Sequence, residues 1–132
     1  NRVLVLDKIN DEWNGIMFPG GHVEKDESFT DAVIREVYEE TGLTIYSPQL
    51  CGVKDWLEED GSRYIVLLYK TDKFEGVLKS SEEGEVFWME LEKLSCRQLS
   101  PGFMDVLKVF LDDELSEFYY YEKDGKWSYE LK

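Results

Sequence analysis

Gly20 to Leu43, GGHVEKDESFTDAVIREVYEETGL, decides how this chain is read. A Gly-Gly pair opens it, and a helical run follows that carries Arg35, Glu36, Glu39 and Glu40. The three acids stand at i, i+3 and i+4, so one helix face presents all of them. A glutamate-rich helix is usually just a solvated face, and here the acids repel by a few tenths of a kcal/mol per pair. They also lie near the helix C-terminus, where the macrodipole disfavours anions. A bound divalent cation removes both objections. Three carboxylates beside a glycine turn that exposes backbone carbonyls form an all-oxygen donor set suited to Mg²⁺ or Mn²⁺.

Working outward, Gly21, Glu27, Arg35-Glu36-Val37, Glu39-Glu40 and Gly42-Leu43 keep the spacing G-x5-E-x7-R-E-V-x-E-E-x-G-L. This run resembles the signature box of the Nudix hydrolases at all nine constrained positions. The resemblance implies an α+β fold, an α–β–α sandwich with a mixed β-sheet, spanning residues 1–132 as a single domain. The chain enters a strand-like run directly at Asn1, which leaves open a preceding strand outside it.

The resemblance also implies roles. Glu36, Glu39 and Glu40 would be metal ligands, with the Gly20 carbonyl as a fourth. Glu27 would support that shell or help to bind another metal, and Arg35 would pair with a box carboxylate such as Glu39 at i, i+4. The general base would be a box glutamate or one from the later loop Glu82-Glu83-Gly84-Glu85, with Glu85 first and Glu83 second; an acidic solvated turn is the plain alternative. Substrate contacts would fall on Lys8, Arg63, Asn14 and Gly21, and both cations read equally well as surface charges. His22 reads as a loop residue. Trp13, Trp56, Tyr64 and Phe74 are candidates for stacking on a nucleobase or for core and rim.

The segments around Trp13-Asn14-Gly15, FPGGHVEKDESF, RYIVLLYK and SSEEGEVFW resemble the MutT-type group of Gram-positive bacteria. That implies hydrolysis of 8-oxo-dGTP to the monophosphate and pyrophosphate. Within enzymes, ADP-ribose, another NTP or a dinucleoside polyphosphate are the alternatives; outside them, a non-catalytic nucleotide-binding domain. The asparagine that resembling enzymes use for base recognition has no counterpart between Leu99 and Lys108.

Composition narrows the classes. The 132 residues carry a net charge of −14, which argues against a duplex nucleic-acid surface while leaving a metal-held nucleotide open. Cys51 and Cys96 lack the spacing of a zinc site; with no dense cysteine framework a reducing cytoplasm is the default setting, and Cys51 reads as a small apolar group. No apolar run is long enough to span a bilayer, and a monomer or homodimer is expected.

Periodicity predicts strands at Arg2–Leu6 and Ile16–Phe18, with a turn between, and a helix from Ser28 or Phe29 to Thr41. Asp26 or Ser28 would cap that helix and Gly42 would stop it; Val33, Ile34, Val37 and Thr41 form its apolar side. Strands follow at Leu43–Ile45 and Leu50–Leu57, then RYIVLLY (63–69) as the central strand. A polar loop is expected over 70–84, a strand over 85–90 and a helical turn over 91–94. Ser100-Pro101 should open a helix to Asp112 with Phe103, Val106, Leu107 and Phe110 inward. A closing hairpin around Asp124-Gly125 is expected from Glu117–Tyr121 and Lys126–Leu131.

Overall fold

The computed structural model describes residues 1–8 and 15–132. Trp13 and Asn14 lie outside the described residues. The chain forms two compact units, Asn1–Pro48 with Thr71–Pro101 and Gln49–Lys70 with Gly102–Lys132.

In the first unit, β1 (Arg2–Lys8) lies between β2 (Ile16–Met17) and β7 (Gly84–Glu90), all antiparallel. The RVLVL run buries Val5 and Leu6, with Val86 and Met89 from β7. Helix α1 (Phe29–Thr41) starts at Ser28, whose hydroxyl accepts from the Asp31 N–H at 3.0 Å; this settles the cap in favour of Ser28 over Asp26. It ends at Gly42, which takes the left-handed conformation that glycine tolerates best, at φ +80°. Ala32, Glu40 and Thr41 are its buried residues. The expected apolar stripe of Val33, Ile34 and Val37 is only half-buried, so a charged side chain occupies part of the inward face.

The end of α1 is tied to a distant segment. The Lys79 N–H donates to the Thr41 carbonyl at 2.8 Å, and the Thr41 hydroxyl donates to the Val37 carbonyl at 2.6 Å. The strand β3 (Leu43–Tyr46) then pairs antiparallel with β6 (Lys73–Gly76). β6 falls inside the stretch expected to be loop. Four residues reading KFEG carry no usable period, and their register is supplied by β3.

The second unit is a four-stranded mixed sheet in the order β5-β4-β8-β9, made of β4 (Gln49–Leu57), β5 (Arg63–Lys70), β8 (Glu117–Lys123) and β9 (Lys126–Leu131). β4 and β8 run parallel and the other pairs antiparallel. β5, the most apolar run, was expected at the centre; it stands at an edge of this sheet and β4 is interior. Its start is exposed at Arg63, Tyr64 and Ile65, which explains why apolarity alone misplaces it. The turn between β8 and β9 has positive φ at Asp124 and Gly125, as the Asp-Gly signal predicts.

Helix α2 (Phe103–Leu111) begins later than Ser100-Pro101 suggests. The Ser100 N–H is committed to the Ile16 carbonyl at 2.9 Å, and Leu99 bridges Ile16, so the backbone is still extended there. Gly102, at φ +79°, becomes the cap without a side-chain bond. Phe103, Val106 and Leu107 are buried as expected; Val109 is buried where Phe110 was expected, and Phe110 is half-buried. Gly52 on β4 leaves room for this arrangement: a Cβ there would press on the Ser116 backbone and on Cγ1 of Val109. Gly52→Ala should therefore cost about 1–3 kcal/mol by overpacking, measurable by chemical denaturation. An unchanged denaturation midpoint would mean that the strand shifts freely.

Candidate active site

The loop and helix of the Gly20–Leu43 stretch fold onto one another. The Gly20 N–H donates to Oε1 of Glu40 at 2.6 Å, which binds the loop backbone to the helix. At Gly21, a Cβ would fall on the carboxylate of Glu36, so only glycine lets that carboxylate lie against the loop. Glu40 is buried, and burial is the main reason its acidity is weakened to a pKa of about 7. The charges of Glu36 and Glu83 push the same way, while the Gly20 N–H and Lys8 oppose them.

Arg35 is the hub of the helix face. Its Nε and Nη2 donate to the two oxygens of Glu27 at 2.7 and 2.9 Å, a bidentate fork. Nη1 donates to Glu36 at 2.9 Å and Glu39 at 3.1 Å, and Nη2 also reaches the His22 carbonyl at 3.0 Å. These bonds, first those to Glu27 and Glu36, hold its pKa above the ordinary arginine value. The sequence offers Arg35 a box carboxylate, with Glu39 as the i, i+4 partner; that bond is present, and the tighter fork goes to Glu27, another box acid, whose preference over Glu39 depends on how the loop returns to the helix.

Glu27 responds in kind. Arg35, and then the Glu24 N–H at 3.0 Å, depress its pKa from 4.5 to about 2. A carboxylate with a depressed folded-state pKa adds stability above its unfolded value, lost as pH falls through the folded one. Glu27 should therefore favour folding at pH above 4.5 and lose that contribution as pH falls toward 2. Glu27→Gln should flatten the stability–pH slope across this window, as read by denaturation midpoints. A slope equal to that of the parent chain would refute the assignment.

Near Glu40, the reverse turn before β7 brings in a later acid. Its Ser81 hydroxyl accepts from the Glu83 N–H at 3.2 Å, and Gly84 approaches the Asp7 carbonyl so closely that a Cβ would overlap it. Glu83 is the later-loop acid whose charge bears on Glu40. Glu85, the first choice from sequence, stands opposite Asp7 in the β1–β7 ladder. Lys8 ends β1 opposite Gly84, and its charge also reaches Glu40. Arg63 belongs to the second unit, where Nη1 donates to Asp55 Oδ2 at 3.2 Å. Trp56 and Tyr64 stack on each other at 4.5 Å there, and Phe74 lies 5.3 Å from Trp88 in the first unit. Cys51 is half-buried, donates weakly to the Gln49 carbonyl at 3.5 Å, and has its thiol pKa raised by burial.

Among the described residues no three acids, histidines or cysteines are gathered as a ready metal cage; Arg35 and the Gly20 N–H hold the box carboxylates in this arrangement. The donor chemistry nonetheless fits a hard cation. Glu36, Glu39, Glu40 and the Gly20 carbonyl offer only oxygen, and Glu40, whose ionisation is resisted by burial and by the charges of two further acids, would ionise readily beside a divalent ion.

The model of the NUDIX domain family matches residues 1–111, and the chain belongs to that family. It is 36% identical over 107 residues to the uncharacterized Nudix hydrolase YvcI of Bacillus subtilis, covering 77% of this chain and 66% of that protein. It is 31% identical over 87 residues to an ADP-ribose pyrophosphatase of Methanocaldococcus jannaschii, covering 64% and 52%. A MutT protein from Bacillus halodurans has a similar structure, with TM-score 0.80 and 28% identity over 99% of this chain and 90% of that one. The chain thus spans about half to two thirds of the length of these two curated relatives. Its mixed sheet and helices are the Nudix fold. Among the described residues no helix is long and apolar enough to cross a membrane.

Proposed function

We propose that the chain is a single-domain, cytoplasmic Nudix hydrolase, dependent on Mg²⁺ or Mn²⁺, that cleaves a nucleoside triphosphate to the monophosphate and pyrophosphate, with 8-oxo-dGTP as the leading substrate. The observation that carries this reading is the diglycine loop seated on Glu36 and Glu40. Glu36, Glu39, Glu40 and the Gly20 carbonyl would hold the metal. Bound there, a divalent ion neutralises phosphate charge and lowers the pKa of a water.

The chain's own groups do the rest. Arg35, fixed by Glu27, orients Glu36 and Glu39. Glu83 takes the proton from the attacking water; its bearing on Glu40 favours it over Glu85. Lys8 meets a phosphate oxygen, and Gly21 lets the phosphate chain approach the loop. Reaction at phosphorus needs little more than such positioning and charge stabilisation.

A panel of 8-oxo-dGTP, dGTP and ADP-ribose with Mg²⁺, with products identified, tests the reading. Fastest release of pyrophosphate from 8-oxo-dGTP supports it. Preference for ADP-ribose would favour the second reading, suggested by the 31% identical archaeal pyrophosphatase. No turnover of any of them would leave a nucleotide-binding domain.

A further inference from the structure

In the second unit, β4 and β8 are joined side by side with Val53 opposite Glu117 and Asp55 opposite Tyr119. Asp55 and Glu117 therefore share one face of the sheet, a diagonal step apart. Asp55 is only 7% exposed. Its Oδ2 accepts from Arg63 at 3.2 Å, but its Oδ1 is buried and meets no hydrogen-bond donor among the described residues. A buried acceptor left unmet is costly, and a second carboxylate beside it makes the cost larger.

We infer that Asp55 and Glu117 hold one proton between them, which makes the attachment of the C-terminal β8–β9 hairpin sensitive to pH. The neutral Glu117 carboxyl donates its O–H to Asp55 Oδ1 and so supplies the missing partner. Glu117 is held above the ordinary carboxylate pKa of 4.5, first by its hydrogen bond with Asp55, then by burial and by the Asp55 charge.

The surrounding charges are consistent with a proton rather than a metal ion. Arg63 from β5 and Lys132 after β9 both favour the ionised form of Glu117, and Arg63 also lies over the Tyr119 ring at 5.8 Å. Lys132 is shared with Glu130 at 3.2 Å. With Arg63 opposing two carboxylates, one proton neutralises the trio, whereas a divalent ion would leave it positive. The charges of α2 are engaged elsewhere: Asp105 accepts from Lys108 at 3.4 Å and from the Tyr129 hydroxyl at 3.1 Å. Lys54 lies on the other face of β4, over Trp56 and Phe118.

A raised folded-state pKa adds stability that is complete below the unfolded value and is lost as pH rises through the folded one. The junction is therefore firmest below pH 4.5 and weakens upward. β8 and β9 lie beyond the 1–111 family match, and β8 joins the sheet through β4, so this junction fastens the C-terminal hairpin.

The test uses the whole chain. Thermal unfolding of the parent and of Glu117→Gln is compared from pH 4.5 to 8.5; the carboxamide keeps a donor toward Oδ1 but cannot ionise. The parent's melting temperature should fall by several degrees relative to the variant as pH rises. In parallel, the ¹³C shift of the Glu117 carboxyl in the parent should titrate above the ordinary glutamate midpoint. Should the variant fail to fold, this second measurement decides alone. Parallel melting curves, an ordinary midpoint, or a Glu117 resonance displaced by added Mg²⁺ or Ca²⁺ would each overturn the shared proton.

Discussion

Glu39→Gln is expected to lower kcat on the order of 10²-fold while leaving the fold intact. The Glu39 side chain is 56% exposed, and its bond to Arg35 at 3.1 Å is one of several that the guanidinium makes. Removing one exposed pair of this kind costs roughly 0.2–1 kcal/mol, so the melting temperature should move by a few degrees at most. The loss of activity has a different origin, the deletion of one negative ligand where phosphate charge must be balanced. Glu40→Gln is the less clean experiment, because Glu40 is buried and anchors the Gly20 N–H. Steady-state kinetics with Mg²⁺ and a melting curve, taken on the same preparation, separate the two effects. Parent-like turnover in Glu39→Gln would remove that residue from the site.

Gly21→Ala should reduce turnover by a comparable factor, for a steric reason. The added Cβ would occupy the space of the Glu36 carboxylate, which is the mobile end of a side chain and can swing aside. Folding should therefore survive, while the displaced carboxylate no longer faces the loop. Misplacing a positioned group by about 1 Å can cost 10²-fold in rate. At Gly20 a Cβ meets nothing within 4 Å, so Gly20→Ala should lose less than Gly21→Ala. Equal losses at the two positions would point to backbone flexibility rather than to the fit of Glu36.

Part of this fold and site is legible in the amino-acid sequence. Ser28, the acids at i, i+3 and i+4, and Gly42 defined α1 from cap to stop, because capping and periodicity are local. The Asp124-Gly125 turn was equally plain. β6 was not, since a four-residue strand exists only through its partner. The start of α2 was misread because Ser100 is engaged by Ile16, far earlier in the chain. Within the site, the box supplied the acids, but the fork between Arg35 and Glu27 and the influence of Glu83 on Glu40 depend on loop paths that no spacing rule encodes. The Asp55–Glu117 contact depends on a register between strands some sixty positions apart.

The bond from the Lys79 N–H to the Thr41 carbonyl, and the close pass of the Val77 carbonyl at Gly42, lock the tail of the box helix to the segment that runs on into Glu83. A shim inserted between 77 and 81 would consequently throw Glu83 out of alignment with Glu40 even though neither residue had been altered. Insertions there should lower turnover far more than insertions of equal length at Glu59–Gly61, where every residue is exposed.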